Sequence, residues 1–61
     1  MEMLDCTNYS NVAFLQLLKS NPLYLTTIAE AENWEEVVDV INSLNIKYTD
    51  EQLNYVKYNQ W

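Results

Sequence analysis

The chain of 61 residues carries nine acidic and three basic residues, a net charge of −6, one cysteine, and neither glycine nor histidine. A chain of this length forms one domain with a small core, and a lone thiol without histidine excludes a disulfide framework and a zinc site. The lack of glycine excludes phosphate-binding loops, and the acidic surface disfavours direct binding to nucleic acid or anionic membranes. With no secretion signal and no apolar stretch of bilayer length, the composition indicates a cytoplasmic protein.

Residues 1–9 show no clear apolar period, and several of them favour turns and caps. We therefore predict a flexible lead-in over residues 1–9 and a single helical domain over residues 10–61. Cys6 is expected to be a partly buried or exposed thiol. It is not expected to act as a nucleophile, because the chain has no histidine to serve as its base.

Two short helices are predicted on either side of a Ser-Asn-Pro turn. The first is capped by Ser10 and runs to about Lys19, and the second is capped by Asn21 and covers residues 22–31 with proline at its first position. The apolar face of the first helix comprises Phe14, Leu15 and Leu18, widened by Val12 and Leu17. The face of the second comprises Tyr24, Ile28 and Ala31. The tight turn makes the pair an αα-hairpin or a corner.

The third helix is predicted over residues 33–44 and is expected to be the centre of the fold. Its apolar residues recur at the helical period and form one stripe, made of Trp34, Val37, Val38, Ile41 and Leu44. Asn33 is a favourable N-cap, and the Glu36 carboxylate is expected to accept a hydrogen bond from the Asn33 amide, as in a capping box.

A short extended link and a fourth helix complete the predicted domain. Asn45 is the expected left-handed residue that ends the third helix, since no glycine is available there. Ile46 and Tyr48 then alternate with polar residues and are expected to point inward. Thr49 and Gln52 predict a capping box at the start of the fourth helix. The final residue, Trp61, either frays or folds back on the core.

The candidate docking residues include an acidic stripe, spaced i, i+3, i+4 and i+7: Glu32, Glu35, Glu36 and Asp39. These carboxylates are either a docking face for a basic protein or a solvated helix face. The C-terminal Tyr58 and Trp61 belong to the second candidate group, because tyrosine and tryptophan often anchor interfaces. The alternative is that these rings close the small core.

The same residues give no indication of catalysis or metal binding. Nothing in the pattern indicates a cleft that would separate the pKa values of two carboxylates. Calcium would need a loop of oxygen ligands with a turn glycine, which a helical spacing does not provide. We therefore expect no enzyme activity, no cofactor and no metal.

Three segments in this order carry a family resemblance, spread over FLQLLKSNPLYLTTIAEAENWEEVVDVINSLNIKYTDEQL, residues 14–53. The first contains Phe14, Leu15, Leu18, Asn21, Pro22 and Leu23. The second contains Ala31 and the run Asn33, Trp34, Glu35, Glu36, Val37, Val38. The third contains Tyr48, Thr49, Asp50, Glu51 and Leu53. Together they resemble the Nif-eleven family, a small nitrogen-fixation-associated domain that also serves as a leader for ribosomally made peptide natural products.

Two departures from that family pattern matter. The family usually has glycine in the link before the aromatic-Thr step, where this chain has Asn45. Leader versions end in a double-glycine-type cleavage site followed by a core peptide, and this chain has no glycine. The chain therefore resembles a stand-alone member, of the kind common in cyanobacteria and other nitrogen fixers.

The helical patterns predict an all-α bundle of three to four short helices with the helix at 33–44 in the centre. The resemblance implies that this bundle acts as a non-catalytic protein-binding module. The expected partner is a larger protein, and both a basic surface on that protein and a homodimer are left open. The alternative is a phage-encoded inhibitor, similar to an anti-CRISPR protein, whose carboxylates mimic phosphates and block a basic nucleic-acid channel.

Overall fold

The computed structural model describes residues 3–61 as a four-helix bundle with one short pair of strands. In chain order the elements are β1 (Leu4–Asp5), α1 (Asn11–Lys19), α2 (Pro22–Glu30), α3 (Trp34–Ser43), β2 (Ile46–Lys47) and α4 (Asp50–Gln60). The predicted all-α class and the four predicted helices are confirmed. No helix in the described part of the chain has the length and apolar character that a bilayer crossing needs.

Each helix begins at a side chain that accepts a hydrogen bond from the first turn. Ser10 accepts from the Ala13 amide at 3.1 Å, and Asn21 accepts from the amides of Leu23 and Tyr24. These bonds satisfy amide donors that have no partner inside the helix, which explains why the helix starts could be read from local sequence. The remaining two caps, at Asn33 and Thr49, are also the predicted residues.

The predicted capping box of α3 is wrong in one detail. Asn33 does accept from the Glu36 amide at 3.1 Å, but the Glu36 carboxylate accepts from the Glu32 amide at 2.6 Å and not from Asn33. The reason lies in the end of α2, where Ala31 is extended with ψ 138°. The Glu32 amide therefore has no helical acceptor, and the Glu36 carboxylate supplies one.

The strands β1 and β2 run parallel, with Leu4 opposite Ile46 and Asp5 opposite Lys47. The Leu4 amide donates to the Asn45 carbonyl at 3.1 Å, and the Cys6 amide donates to the Lys47 carbonyl at 2.8 Å. No element was predicted in the 1–9 lead-in, whose residues 1 and 2 lie outside the described part of the chain. In the structure residues 4 and 5 form a strand, which pairs with the link that follows α3.

The core lies between the four helices and the strand pair. Val37 and Ile41 of α3 are fully buried, which confirms that its predicted apolar stripe faces inward. Phe14, Leu18, Tyr24 and Val56 are buried with them. Asn45 adopts φ 59°, which confirms the predicted left-handed end of α3 and turns the chain toward β2.

Two sequence-based expectations about burial are wrong. Cys6 is fully buried in the core, because its amide donates to the Lys47 carbonyl and holds it beside β2. Val12 is 55% exposed and does not widen the face of α1. At about 100° per residue, Val12 lies more than a quarter turn from the direction shared by Phe14 and Leu18.

Candidate functional site

The four carboxylates of the predicted acidic stripe are all exposed but do not form one continuous helical row. Glu32 precedes the N-cap Asn33, whose backbone is extended at φ −149° and ψ 165°. The helical spacing therefore starts only after Glu32. Glu36 is used locally, because its carboxylate accepts the Glu32 amide. The stripe thus divides into a capping pair, Glu32 and Glu36, and a second pair, Glu35 and Asp39.

Glu35 and Asp39 lie four residues apart on α3, so their side chains are neighbours on one face. Both are exposed. Neither carboxylate has a hydrogen bond or ion pair with any of residues 3–61. Glu35 also lies in the first turn of α3, where the helix dipole favours a negative charge. These two groups are therefore the acids of α3 whose oxygens are available to another molecule.

The C-terminal Trp61 folds back onto α3 and does not fray. Its amide donates to the Lys57 carbonyl at 3.0 Å, and its ring lies 6.1 Å from the ring of Trp34 with an interplanar angle of 57°. This tilted arrangement is one that aromatic pairs favour. Because Trp61 is still 49% exposed, it covers Trp34 and also presents a large apolar face to solvent.

Tyr58 lies one turn before Trp61 on α4 and is 90% exposed. It therefore does not close the core, which was one of the two alternatives drawn from the sequence. The ring of Tyr55, by contrast, is half-buried against the core. Of the C-terminal aromatic residues, Tyr58 and Trp61 are the two that solvent reaches most.

Trp34 lies between the aromatic and the acidic candidate residues. It is the first residue of α3, next to Glu35, and its ring contacts the ring of Trp61. On a helical wheel, Trp34 and Val38 border the buried side of α3, and Glu35 and Asp39 follow them on the exposed side. We group Trp34, Glu35, Asp39, Tyr58 and Trp61 as the docking surface, because Trp61 contacts Trp34, Glu35 and Asp39 adjoin Trp34 on α3, and Tyr58 lies one turn before Trp61. Exposed rings beside unpaired carboxylates suit a partner that offers both apolar groups and cations.

Cys6, the one cysteine of the sequence, is withdrawn from solvent. Burial raises the pKa of the Cys6 thiol, and the neighbouring Asp5 carboxylate adds to the effect. The thiol is therefore both protonated and inaccessible. Among residues 3–61 no cluster of three or more histidine, cysteine or acidic side chains has the arrangement of a metal site.

An apolar groove of about 260 Å³ lies on another side of the molecule. It is lined by Leu4 of β1, Ile46 of β2, Leu17 of α1, Leu44 after α3 and Pro22 at the start of α2. This groove is not predictable from the sequence, because it exists only once β1 pairs with β2. No local pattern in residues 3–6 indicates that pairing.

Comparisons with protein-family models, with curated proteins and with solved structures gave no match for this chain. The resemblance to the Nif-eleven family therefore stays a prediction from the sequence.

Proposed function

We propose that this protein is a small non-catalytic binding module that attaches to a larger protein through the docking surface. The observation that carries the proposal is the contact between Trp34 and Trp61, which holds a half-exposed tryptophan beside the exposed face of α3. Tryptophan and tyrosine are enriched among residues that dominate binding energy. A partner that covers Trp61 and Tyr58 would remove much apolar surface from water.

Charge defines the chemistry of the partner. The chain has a net charge of −6, and the carboxylates of Glu35 and Asp39 have no partner among residues 3–61. A basic surface would be steered toward this face and would pair with these carboxylates once bound. Glu32 and Glu36 would contribute to the long-range attraction, although the Glu36 carboxylate already accepts a hydrogen bond.

The proposal agrees with the resemblance to stand-alone Nif-eleven proteins, for which a helical recognition role without enzyme activity is expected. The alternative proposal is an inhibitor whose α3 carboxylates replace nucleic-acid phosphates in a basic channel. The exposed, unpaired carboxylates of Glu35 and Asp39 favour this alternative too, but the two large exposed rings are better explained by contact with a protein surface.

Site-specific photocrosslinking identifies the partner and tests the surface together. A benzophenone amino acid is placed at Tyr58, in the docking surface, and in a matched sample at Val12, which is 55% exposed on α1. We expect a discrete crosslinked protein from position 58 and none from position 12. Equal crosslinking from both positions would contradict the proposal, since it would show that contact does not depend on the docking surface.

The affinity of the purified partner then separates the two proposals. We expect Trp61→Ala, and Glu35→Gln combined with Asp39→Gln, each to weaken binding by at least about tenfold, the size of effect common at interface hot spots. Val12→Ala is the control and should bind like the natural chain. If nucleic acid displaces the protein and Trp61→Ala has no effect, the inhibitor proposal replaces ours. If neither variant changes the affinity, both proposals fail.

A further inference from the structure

The outward face of α2 is apolar or neutral from Pro22 to Ala29, and its one charged residue is Glu30 at the end of the helix. Leu23 is 53% exposed and Leu25 is 46% exposed, and Pro22, Thr26 and Ala29 are exposed with them. No charged residue occurs between Lys19 and Glu30. In a chain with a net charge of −6, this face is therefore uncharged up to Glu30, and it continues into the apolar groove, since Pro22 belongs to both.

Within one molecule, neither end of α2 has a side chain whose charge offsets the helix dipole. The first turn has no acidic residue to meet the positive end of the helix dipole, and the last turn has no basic residue. Instead Glu30 is the final residue of α2, where its negative charge meets the negative end of the dipole. The exposed Lys19 ends α1, three residues before Pro22.

We propose that two copies of the chain associate through α2, with the two α2 helices antiparallel about a twofold axis near Thr26. Thr26 is the middle residue of the helix, so an antiparallel pair centred there places Pro22 opposite Glu30 of the second copy. Glu30 then meets the start of the other α2, close to Lys19 of that copy. The twofold symmetry forms this contact twice.

Charge also explains why the occupant is a second copy. The acidic face of α3 repels its own image, because each copy brings the same carboxylates to such a contact. The face of α2 brings apolar side chains to its own image, and at its ends it brings Glu30 to the positive helix end and Lys19. The face of α2 is therefore more self-complementary than the acidic face of α3.

The surface area that the two α2 helices can bury limits the affinity of this dimer. A standard interface buries about 800 Å² on each partner, which is roughly a fifth of the 4184 Å² accessible surface of residues 3–61. The nine residues of α2 form a helix only about 13 Å long. The contact must therefore extend over the adjoining groove to reach that area, and the dimer is expected to be reversible and dependent on concentration.

Sedimentation equilibrium over a range of concentrations tests the dimer. We expect the natural chain to show a monomer–dimer equilibrium, and Leu25→Glu to be monomeric at every concentration. Val12→Glu makes the same charge change at an exposed position of α1 and should dimerise like the natural chain. Circular dichroism checks that both variants are folded. A natural chain that is monomeric throughout, or equal dimerisation of the two variants, would overturn the proposal.

A charge exchange tests the antiparallel orientation. Glu30→Lys and Lys19→Glu should each weaken the dimer by at least about threefold, as for an exposed ion pair with its helix-end contribution. The double variant should recover the ion-pair part of the loss but not the helix-end part, because a lysine then faces the positive end of the other helix. If Thr26→Cys forms a disulfide between two copies and Val12→Cys does not, the twofold axis of the dimer passes near residue 26. Failure of the double variant to recover, together with no Thr26→Cys crosslink, would overturn this orientation.

The dimer and the docking surface are independent, so their failures can be distinguished. Glu35→Gln with Asp39→Gln should leave the dimer unchanged, because those residues lie on α3. If Leu25→Glu abolishes binding to the larger partner while the natural chain is monomeric, α2 is covered by that partner. The dimer proposal would then be wrong.

Discussion

The side-chain amide of Gln52 donates a hydrogen bond of 2.6 Å to the backbone carbonyl of Cys6, which lies 46 residues earlier in the chain. The same amide nitrogen donates to the Tyr9 carbonyl at 3.0 Å, and the amide oxygen accepts from the Thr49 amide at 2.8 Å. Gln52 is only 2% exposed. The buried side chain of Gln52 therefore caps α4 and also holds the segment after β1 by two hydrogen bonds.

Replacement of Gln52 by alanine should release residues 4–9 from the core. The change removes the hydrogen bonds of Gln52 to the carbonyls of Cys6 and Tyr9 and to the Thr49 amide, and each bond contributes about 0.5–1.5 kcal/mol. The Cys6 carbonyl keeps the Tyr9 amide as a donor. We expect the free energy of unfolding to fall by about 2–4 kcal/mol once the neighbouring bonds are included. The Cys6 thiol should also react faster with Ellman's reagent, which is the more specific measurement.

Gln16→Ala is the matched control, since Gln16 is exposed on α1. It should leave both the free energy of unfolding and the thiol reactivity nearly unchanged. Slow thiol labelling in Gln52→Ala under native conditions would show that the β1 segment is held by other contacts.

Asn45 gives a prediction about backbone conformation. Its φ of 59° is left-handed, a conformation that costs an alanine roughly 1–2 kcal/mol and glycine little. Asn45→Ala should therefore lower the free energy of unfolding by about 1 kcal/mol, measured by urea denaturation, and Asn45→Gly should stay within about 0.5 kcal/mol of the natural chain. Equal losses in both variants would show that the asparagine side chain, and not the backbone angle, stabilises this position.

Tyr24 predicts a loss of stability at high pH. Its side chain is fully buried, its hydroxyl has no hydrogen-bond partner among residues 3–61, and burial raises its pKa to about 12. In the unfolded chain the pKa is about 10. Between these values the unfolded chain releases the proton first, so this contribution to stability is complete below about pH 10 and is lost as the pH rises toward 12.

Tyr24→Phe tests this origin directly. The variant should lose this part of the pH dependence, and below pH 10 it should gain roughly 1 kcal/mol, because no hydroxyl is buried without a partner. Tyr58→Phe removes a hydroxyl from a ring that is 90% exposed and should behave like the natural chain. An unchanged loss above pH 10 in Tyr24→Phe would assign the dependence to other groups.

The parts of the fold that were predictable are those decided by neighbours in sequence. The caps at Asn21, Asn33 and Thr49 each act on an amide two or three residues away, so the residue type alone indicates them. The inward stripe of α3 follows from helical periodicity in the same way, and Val37 and Ile41 are buried as expected. Asn45 was predictable because a helix must end and no glycine was available.

The parts that were not predictable depend on distant contacts. A two-residue strand is too short to show an alternating pattern, so the sequences around Leu4 and Ile46 do not indicate that these residues pair. The burial of Cys6 and the apolar groove both follow from that pairing. At the docking surface the acids and Trp61 were predicted as candidates, but the contact of Trp61 with Trp34 was not, because it is a tertiary contact.

The parallel pairing of β1 with β2 also sets an order for folding during synthesis. Residues 4–5 lie about 42 positions ahead of the strand that receives them, and translation adds about 5–20 residues per second. For about 2–8 seconds, and until Gln52 has also left the ribosome, the N-terminal segment has no place to dock. Throughout this interval Cys6 lacks the cover of the folded core, and its burial is complete only once α4 has formed and Gln52 has bonded to its carbonyl.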